Sequence, residues 1–224
     1  PLDLSPGLPD DLCLMGIQLV HVVDEQTAED AVRVCSLLLR KLPATKVRQA
    51  VVVMGQQPAA LVVPDGVAVR QLGRPLVAGR VLSTAQLGRK LAELRPDAIL
   101  AYSGMAAAAT ASGPHRVPLA AIVADPGDAQ EASRWILSGY GGPIDVVCLS
   151  GTVQRRLVER GVSMIATAVI RPAVDFGEIR RARESFDRSR LNLPANGRVM
   201  VTASPPSRVG GQYYAVWAVA ILHH

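Results

Sequence analysis

Asp97-Ala-Ile-Leu-Ala-Tyr-Ser-Gly104, continued by Met105-Ala-Ala-Ala-Ala-Thr-Ala-Ser-Gly-Pro114 and then Val117-Pro-Leu-Ala-Ala-Ile-Val-Ala-Asp125, decides the fold. Ala98–Tyr102 is a short uninterrupted apolar run, which suits a strand buried on both faces. Met105–Ala111 is almost pure alanine, the strongest helix former, and Gly113-Pro114 stops it. Leu119–Val123 repeats the first apolar run. Strand, helix, strand in this compass is a βαβ unit, whose two strands lie parallel.

The same alternation extends in both directions. On the N-terminal side, Ile17–Val23, Val47–Met54 and Val67–Leu72 read as strands, and Gly55 ends the second of them. Ala28–Leu42 is helical, with Ala31, Val34, Cys35, Leu38, Leu39 and Leu42 on its apolar stripe, and Thr27 is placed to cap it. Leu82–Leu94 is a second helix, broken by Arg95-Pro96-Asp97. On the C-terminal side follow helix Glu131–Leu137, strand Asp145–Leu149, helix Val153–Glu159 and strand Ile165–Ile170. Strands that are continuous apolar runs rather than alternating patterns imply a mostly parallel, doubly wound α/β sheet of at least six strands, covered on both faces.

Beyond Val169 the chain changes character. Val-Ile-Arg-Pro-Ala-Val-Asp-Phe (169–176) ends an apolar strand at a proline, a basic helix follows, and Val199–Ala203 starts a fresh strand. The expected organisation is a flexible leader over 1–15, a Rossmann-like domain over 16–176, a linker over 177–196 and, over 197–224, the first strand and helix of a second domain. No fixed-period repeat is visible.

Composition narrows the function classes. Apolar residues make up 49% of the chain but aromatics only 4%, so small aliphatic side chains must fill tightly packed helix-on-sheet layers. The net charge of +5 would allow contact with phosphates or peripherally with an anionic membrane surface. Much of that excess sits in Arg180, Arg181, Arg183, Arg188 and Arg190, which a solvated basic helix accounts for equally well; no nucleic-acid partner is expected. Cys13, Cys35 and Cys148 are odd in number and far apart, which argues against a disulfide framework or a zinc site and favours a reducing, cytoplasmic compartment. No metal and no cofactor is expected, no apolar run has membrane-span length, and oligomeric state is not legible.

In an open parallel sheet, ligands collect beyond the carboxyl ends of the strands. Asp24 and Glu25 follow the first strand, where a nucleotide-binding fold usually carries glycines; their absence disfavours an NAD or Walker-type phosphate loop. The two carboxylates suit the hydroxyls of a polyhydroxylated ligand, although such a pair is more often a solvated turn with acids at a helix N-terminus. Ser103 ends one strand and opens a helix, either as a polar ligand edge or as a simple cap with Gly104 for clearance. Asp125 lies where an acceptor-binding group would project, although Asp125-Pro126-Gly127 also reads as a turn. His21 lies within a strand and is read as core or half-buried, His115 as surface. In the second domain, Ser204, Arg208, Gly210 and Gly211 form a strand–glycine loop–helix arrangement of the kind that binds anions, with Arg208 as counter-charge.

Taken together, these segments resemble the two-domain (GT-B) retaining glycosyltransferases of the group 1 / family 4 type, from about Gly16 onward. Residues 95–104 are similar to that family's Pro-Asp-Val-Val-His-Ala-His strand, 117–125 to its strand ending in His-Asp, and 145–150 to its Asp-x-Val-x-x-x-Ser strand. Residues 169–176 are similar to its Val-Ile-Pro-Asn-Gly-Val-Asp crossover, and 190–211 to the opening of its donor domain. The resemblance implies transfer of a sugar from a nucleotide-sugar donor to an unknown acceptor, hence a place in carbohydrate metabolism. It assigns Ser204, Arg208, Gly210 and Gly211 to the donor and Asp24, Glu25, Ser103 and Asp125 to the acceptor, and it designates no catalytic residue. It also implies that residues 1–224 are a fragment, inactive alone. Departures are specific: Asp24–Thr27 replaces a glycine-rich turn, Tyr102 and Ala124 stand where the family has His, and Ala203-Ser204 and Gly210-Gly211 replace its Gly-Arg and Lys-Gly. A non-catalytic binding or scaffold module of the same fold is the alternative, and a nucleotide-sugar epimerase of the same plan a third.

Overall fold

Every strand of the sheet runs parallel to its neighbours. The computed structural model describes residues 16–73, 80–113, 117–137, 144–173, 175–185, 187–193, 199 and 212–222. The strands are β1 (Ile17–Asp24), β2 (Val47–Met54), β3 (Ala68–Leu72), β4 (Ala98–Ala101), β5 (Leu119–Val123), β6 (Ile144–Cys148) and β7 (Thr167–Val169), in one seven-stranded sheet of order β3-β2-β1-β4-β5-β6-β7. The chain winds outward from β1 to β3, crosses back to pair β4 beside β1, and winds outward the other way. The switch in winding direction therefore lies between β1 and β4, where Val20 pairs with Ile99 and His21 with Leu100.

The helices between these strands are α1 (Glu29–Lys41), α2 (Arg80–Leu94), α3 (Gly104–Ala111), α4 (Pro126–Leu137) and α5 (Gly151–Glu159). Strand alternation sorts the core into two faces. Val20, Val22, Ala50, Val52, Ile99 and Ala101 point toward α2 and α3, meeting Leu87, Leu91, Ala106 and Ala107. Val23, Val51, Val53 and Tyr102 point the other way, against Ala31, Val32, Cys35 and Leu39 of α1. A third cluster joins Val123, Val146 and Cys148 to Ala129 and Ala132 of α4 and to Val153 and Leu157 of α5. Both faces of the central strands are covered, as their unbroken apolar runs require.

Three local expectations are corrected. Thr27 does not cap α1: Ala28 holds that position without a side-chain bond, because the Thr27 hydroxyl is engaged with Asp24. Helix α4 starts at Pro126 rather than Glu131, since Asp125 caps it and proline is accommodated at the first helical position. The expected strand Ile165–Ile170 begins with a 3-10 turn over Met164–Ala166, leaving three residues to pair.

The chain divides into two compact units after Ala173. The second contains α6 (Phe176–Glu184), capped by the Asp175 side chain, a 3-10 turn over Arg188–Leu191, and α7 (Gln212–Leu222). None of α6's residues is buried, so Arg180, Arg181 and Arg183 are solvated. The expected strand over 199–203 falls, beyond Val199, outside the described residues, as do His115 and Cys13. Among the described residues, no helix is long and apolar enough to cross a membrane.

Candidate functional site

Asp24 ends β1 and Ser103 follows β4, so the switch in strand order brings them side by side. Asp24 is only 2% exposed, which excludes the solvated-turn reading. Its Oδ1 accepts the Gln26 amide (2.8 Å) and the Thr27 hydroxyl (3.2 Å), while its own N–H donates to Thr27 Oγ1 (2.9 Å). Its Oδ2 accepts the Ser103 hydroxyl. Ser103 Oγ in turn accepts the Ala106 N–H (2.9 Å) and so caps α3. Ser103 thus both caps α3 and ties it to the buried carboxylate at the end of β1.

Gly104 is there for clearance. A Cβ on it would lie 2.8 Å from both Ala132 N and Asp128 O, backbone atoms that cannot move aside. The close approach of α3 and α4 that it permits brings Asp128 within reach. Asp128 Oδ1 accepts the Gly104 N–H at 2.6 Å, and its Oδ2 is buried without a hydrogen-bond partner. Burial pushes the Asp128 carboxyl up to about 6; the Gly104 N–H opposes this, and the Asp125 and Asp24 carboxylates reinforce it. Asp125 Oδ1 accepts the N–H groups of Gly127 (2.7 Å) and Asp128 (2.9 Å) at the start of α4.

These groups line a cleft of about 450 Å³, together with Gln26, Met105, Gly127, Gln130 and Arg134. That volume falls in the range of small-molecule sites, and its place at the switch point is where this class of fold binds ligands. Among the described lining residues, Asp125 and Asp128 add carboxylates that are at least partly exposed, Gln26 and Gln130 add side-chain amides, and Arg134 is the one cation. Such a surface is complementary to ligand hydroxyls. It offers little to a phosphate, because the Gly104 and Ala106 N–H groups of α3 are already bonded to Asp128 and Ser103.

Of the sequence-derived acceptor residues, Asp24, Ser103 and Asp125 meet at this cleft. Glu25 does not line it: its carboxylate turns toward Gly55, whose φ is +85°, and accepts the Gln56 N–H at 3.4 Å. The donor-side residues Ser204, Arg208, Gly210 and Gly211 lie outside the described residues. Asp128 lies before the helix start expected at Glu131, and only the observed start at Pro126 puts it in the first turn of α4. The available signal was Asp125-Pro126, a capping residue followed by proline at the first helical position, which would have placed Asp128 in the first turn.

Behind the cleft, His21 and Tyr102 form a buried polar relay. Gln49 Nε2 donates to Leu39 O (3.2 Å), which aims Gln49 Oε1 at His21 Nε2 (3.1 Å). His21 Nδ1 is then the acceptor for the Tyr102 hydroxyl at 2.8 Å, with the two rings stacked 5.8 Å apart. Cys35 shares the core cluster with Tyr102, and burial pushes its thiol up to about 12. Cys148 is raised as well, to about 11, by burial. Neither thiol carries thiolate character, so both are structural.

No family model and no curated protein matches the sequence. Solved structures do. The chain is similar to a glycosyltransferase from Rickettsia africae, with TM-score 0.68 and 11% identity over 92% of this chain and 57% of that one. It is similar to Anabaena HepE in complex with UDP, with TM-score 0.53 and 14% identity over 80% and 50%. It is similar also to UDP-N-acetylglucosamine 2-epimerase from Rickettsia bellii, with TM-score 0.51 and 16% identity over 80% and 52%. At these identities the likeness establishes the fold: a Rossmann-like α/β arrangement shared with GT-B glycosyltransferases. The chain spans about half the length of the structures it matches.

Proposed function

We propose that the first unit is the acceptor-holding part of a nucleotide-sugar-dependent glycosyltransferase, with its acceptor in the β1/β4 cleft. The observation that carries this reading is the convergence of Asp24, Ser103, Asp125 and Asp128 at the switch point of a sheet that glycosyltransferases share. Carboxylates and side-chain amides hold sugar hydroxyls by charge-assisted hydrogen bonds and fix the acceptor's orientation. Orientation is where much of the rate of a two-substrate transfer originates. The donor belongs to the second unit, where Ser204, Arg208, Gly210 and Gly211 hold its diphosphate and Arg208 stabilises the charge that develops on the leaving group.

The donor half of the proposal is tested by calorimetric titration of the full-length protein with UDP. Arg208→Ala should raise the dissociation constant about ten-fold or more, because a charged hydrogen bond is worth roughly 1.5–3 kcal/mol. Unchanged affinity would make Arg208 an ordinary surface residue and favour a non-catalytic binding module of the same fold.

A further inference from the structure

Asp24 borders the β1/β4 cleft, yet its carboxylate is turned into the protein. The residue is 2% exposed, with Oδ1 taken by the Gln26 N–H and the Thr27 hydroxyl and Oδ2 by the Ser103 hydroxyl. Those bonds reach two segments that border the cleft at the switch point: the turn after β1 and the start of α3.

The turn is organised around this one residue. The Asp24 carbonyl accepts the Thr27 N–H at 3.2 Å, and the Asp24 N–H donates to Thr27 Oγ1 at 2.9 Å. Between them, the Gln26 N–H is held by Asp24 Oδ1 at 2.8 Å, an aspartate turn. Gln26 itself is exposed and lines the cleft, and its side-chain amide has no hydrogen-bond partner among the described residues. That amide offers two donors and an acceptor, so it can serve a sugar hydroxyl in either sense. Fixing its backbone beforehand removes part of the ordering cost that a loose turn would add to binding.

We propose that Asp24 is a positioning residue: it makes no contact with the ligand and acts through Gln26, which does. Ser103 anchors the carboxylate, so that the turn is fixed relative to α3. This role rests on the reading of the cleft as a polyol acceptor site and names the side chain that meets a hydroxyl on its β1 side.

The test is a double-mutant cycle on Asp24 and Gln26, read by amide NMR titration of the ¹⁵N-labelled protein with glucose. Gly127, on the α4 side of the cleft, reports binding, and the buried Val22 reports folding. A hydrogen bond to a neutral hydroxyl is worth a factor of about two to ten in affinity, so Gln26→Ala should weaken glucose binding by that much. Asp24→Ala should weaken it similarly, and the double variant no further than the weaker-binding single change. Asp24→Asn keeps a side-chain oxygen for Gln26 and Thr27 and turns an amide to Ser103 Oγ, which can accept from it; its affinity should stay within about two-fold of the parent. This variant decides the matter even where Asp24→Ala does not fold. Losses that multiply in the double variant, or a loss in Asp24→Asn as large as that in Gln26→Ala, would mean that Asp24 meets the ligand itself. Unchanged affinity in Gln26→Ala would likewise overturn the positioning role, while the polyol site stands. If glucose leaves Gly127 unmoved in the parent chain, the polyol site itself falls, and the role of Asp24 with it.

Discussion

His21 sits fully buried in β1 with both ring nitrogens engaged, and burial lowers its pKa to about 4 from 6.5, only partly offset by Gln49. The unfolded chain gains a proton below pH 6.5 that the fold refuses. The contribution of His21 is therefore complete above that pH and lost as pH falls toward 4, on the order of 3 kcal/mol in all. Asp128 works in the opposite sense. Its folded value of about 6 exceeds the ordinary 3.8, so the fold retains a proton that the unfolded chain gives up, and stability is gained as pH falls from about 6 toward 3.8. The two trends offset each other over this window. Asp128→Asn should unmask His21: the stability of that variant, from denaturant titrations at successive pH values, should fall more steeply on acidification than that of the parent chain. Parallel profiles would mean that Asp128 has an ordinary carboxyl pKa in the fold. Gly104→Ala probes the site by sterics instead. Its Cβ would press on two backbone atoms of α4, so a loss of about 1–3 kcal/mol is expected in thermal or denaturant unfolding, and no loss would contradict the close approach of α3 and α4.

At the scale of elements, protection from hydrogen exchange should follow place in the sheet. Strands β1, β2 and β4 are paired on both sides and covered on both faces, whereas β3 and β7 are edges and the 3-10 turn before β7 leaves Ile165 98% exposed. Amides of Val22 and Val52 should exchange orders of magnitude more slowly than those of Val69 and Ala168; equal rates would contradict the layered core. This organisation was legible in the sequence because strand composition and helical periodicity agreed along the chain. β2 and β5 have the bounds that the apolar runs indicated, and Gly55 ends β2 with the positive φ that favours glycine. Errors fell where side chains compete for the backbone. Thr27 resembled a cap but bonds Asp24, and Asp125-Pro126 resembled a plain turn but opens α4. The site was half legible for the same reason. Asp24, Ser103 and Asp125 stood out by following strands, but their meeting depends on strand order, which no local pattern encodes, and Asp128 was hidden by the misplaced helix start.

At the scale of the whole molecule, the first unit carries the sheet, its core clusters and the cleft, and the second unit begins at Val174. Brief trypsin treatment should cut among the exposed Arg180, Arg181 and Arg183, because Arg171 is shielded by the proline after it. The N-terminal product should keep a cooperative unfolding transition, as a unit with its own core does; a product that unfolds without cooperativity would show that the first unit depends on the second. Glycosyl transfer through the cleft is tested by proton and phosphorus NMR of the full-length protein incubated with nucleotide sugars, with and without a mixture of glycan acceptors. Transfer requires release of a nucleoside diphosphate that depends on acceptor, together with a new glycosidic anomeric signal. Epimerisation of the donor without transfer, or donors left intact under every acceptor condition, would contradict it.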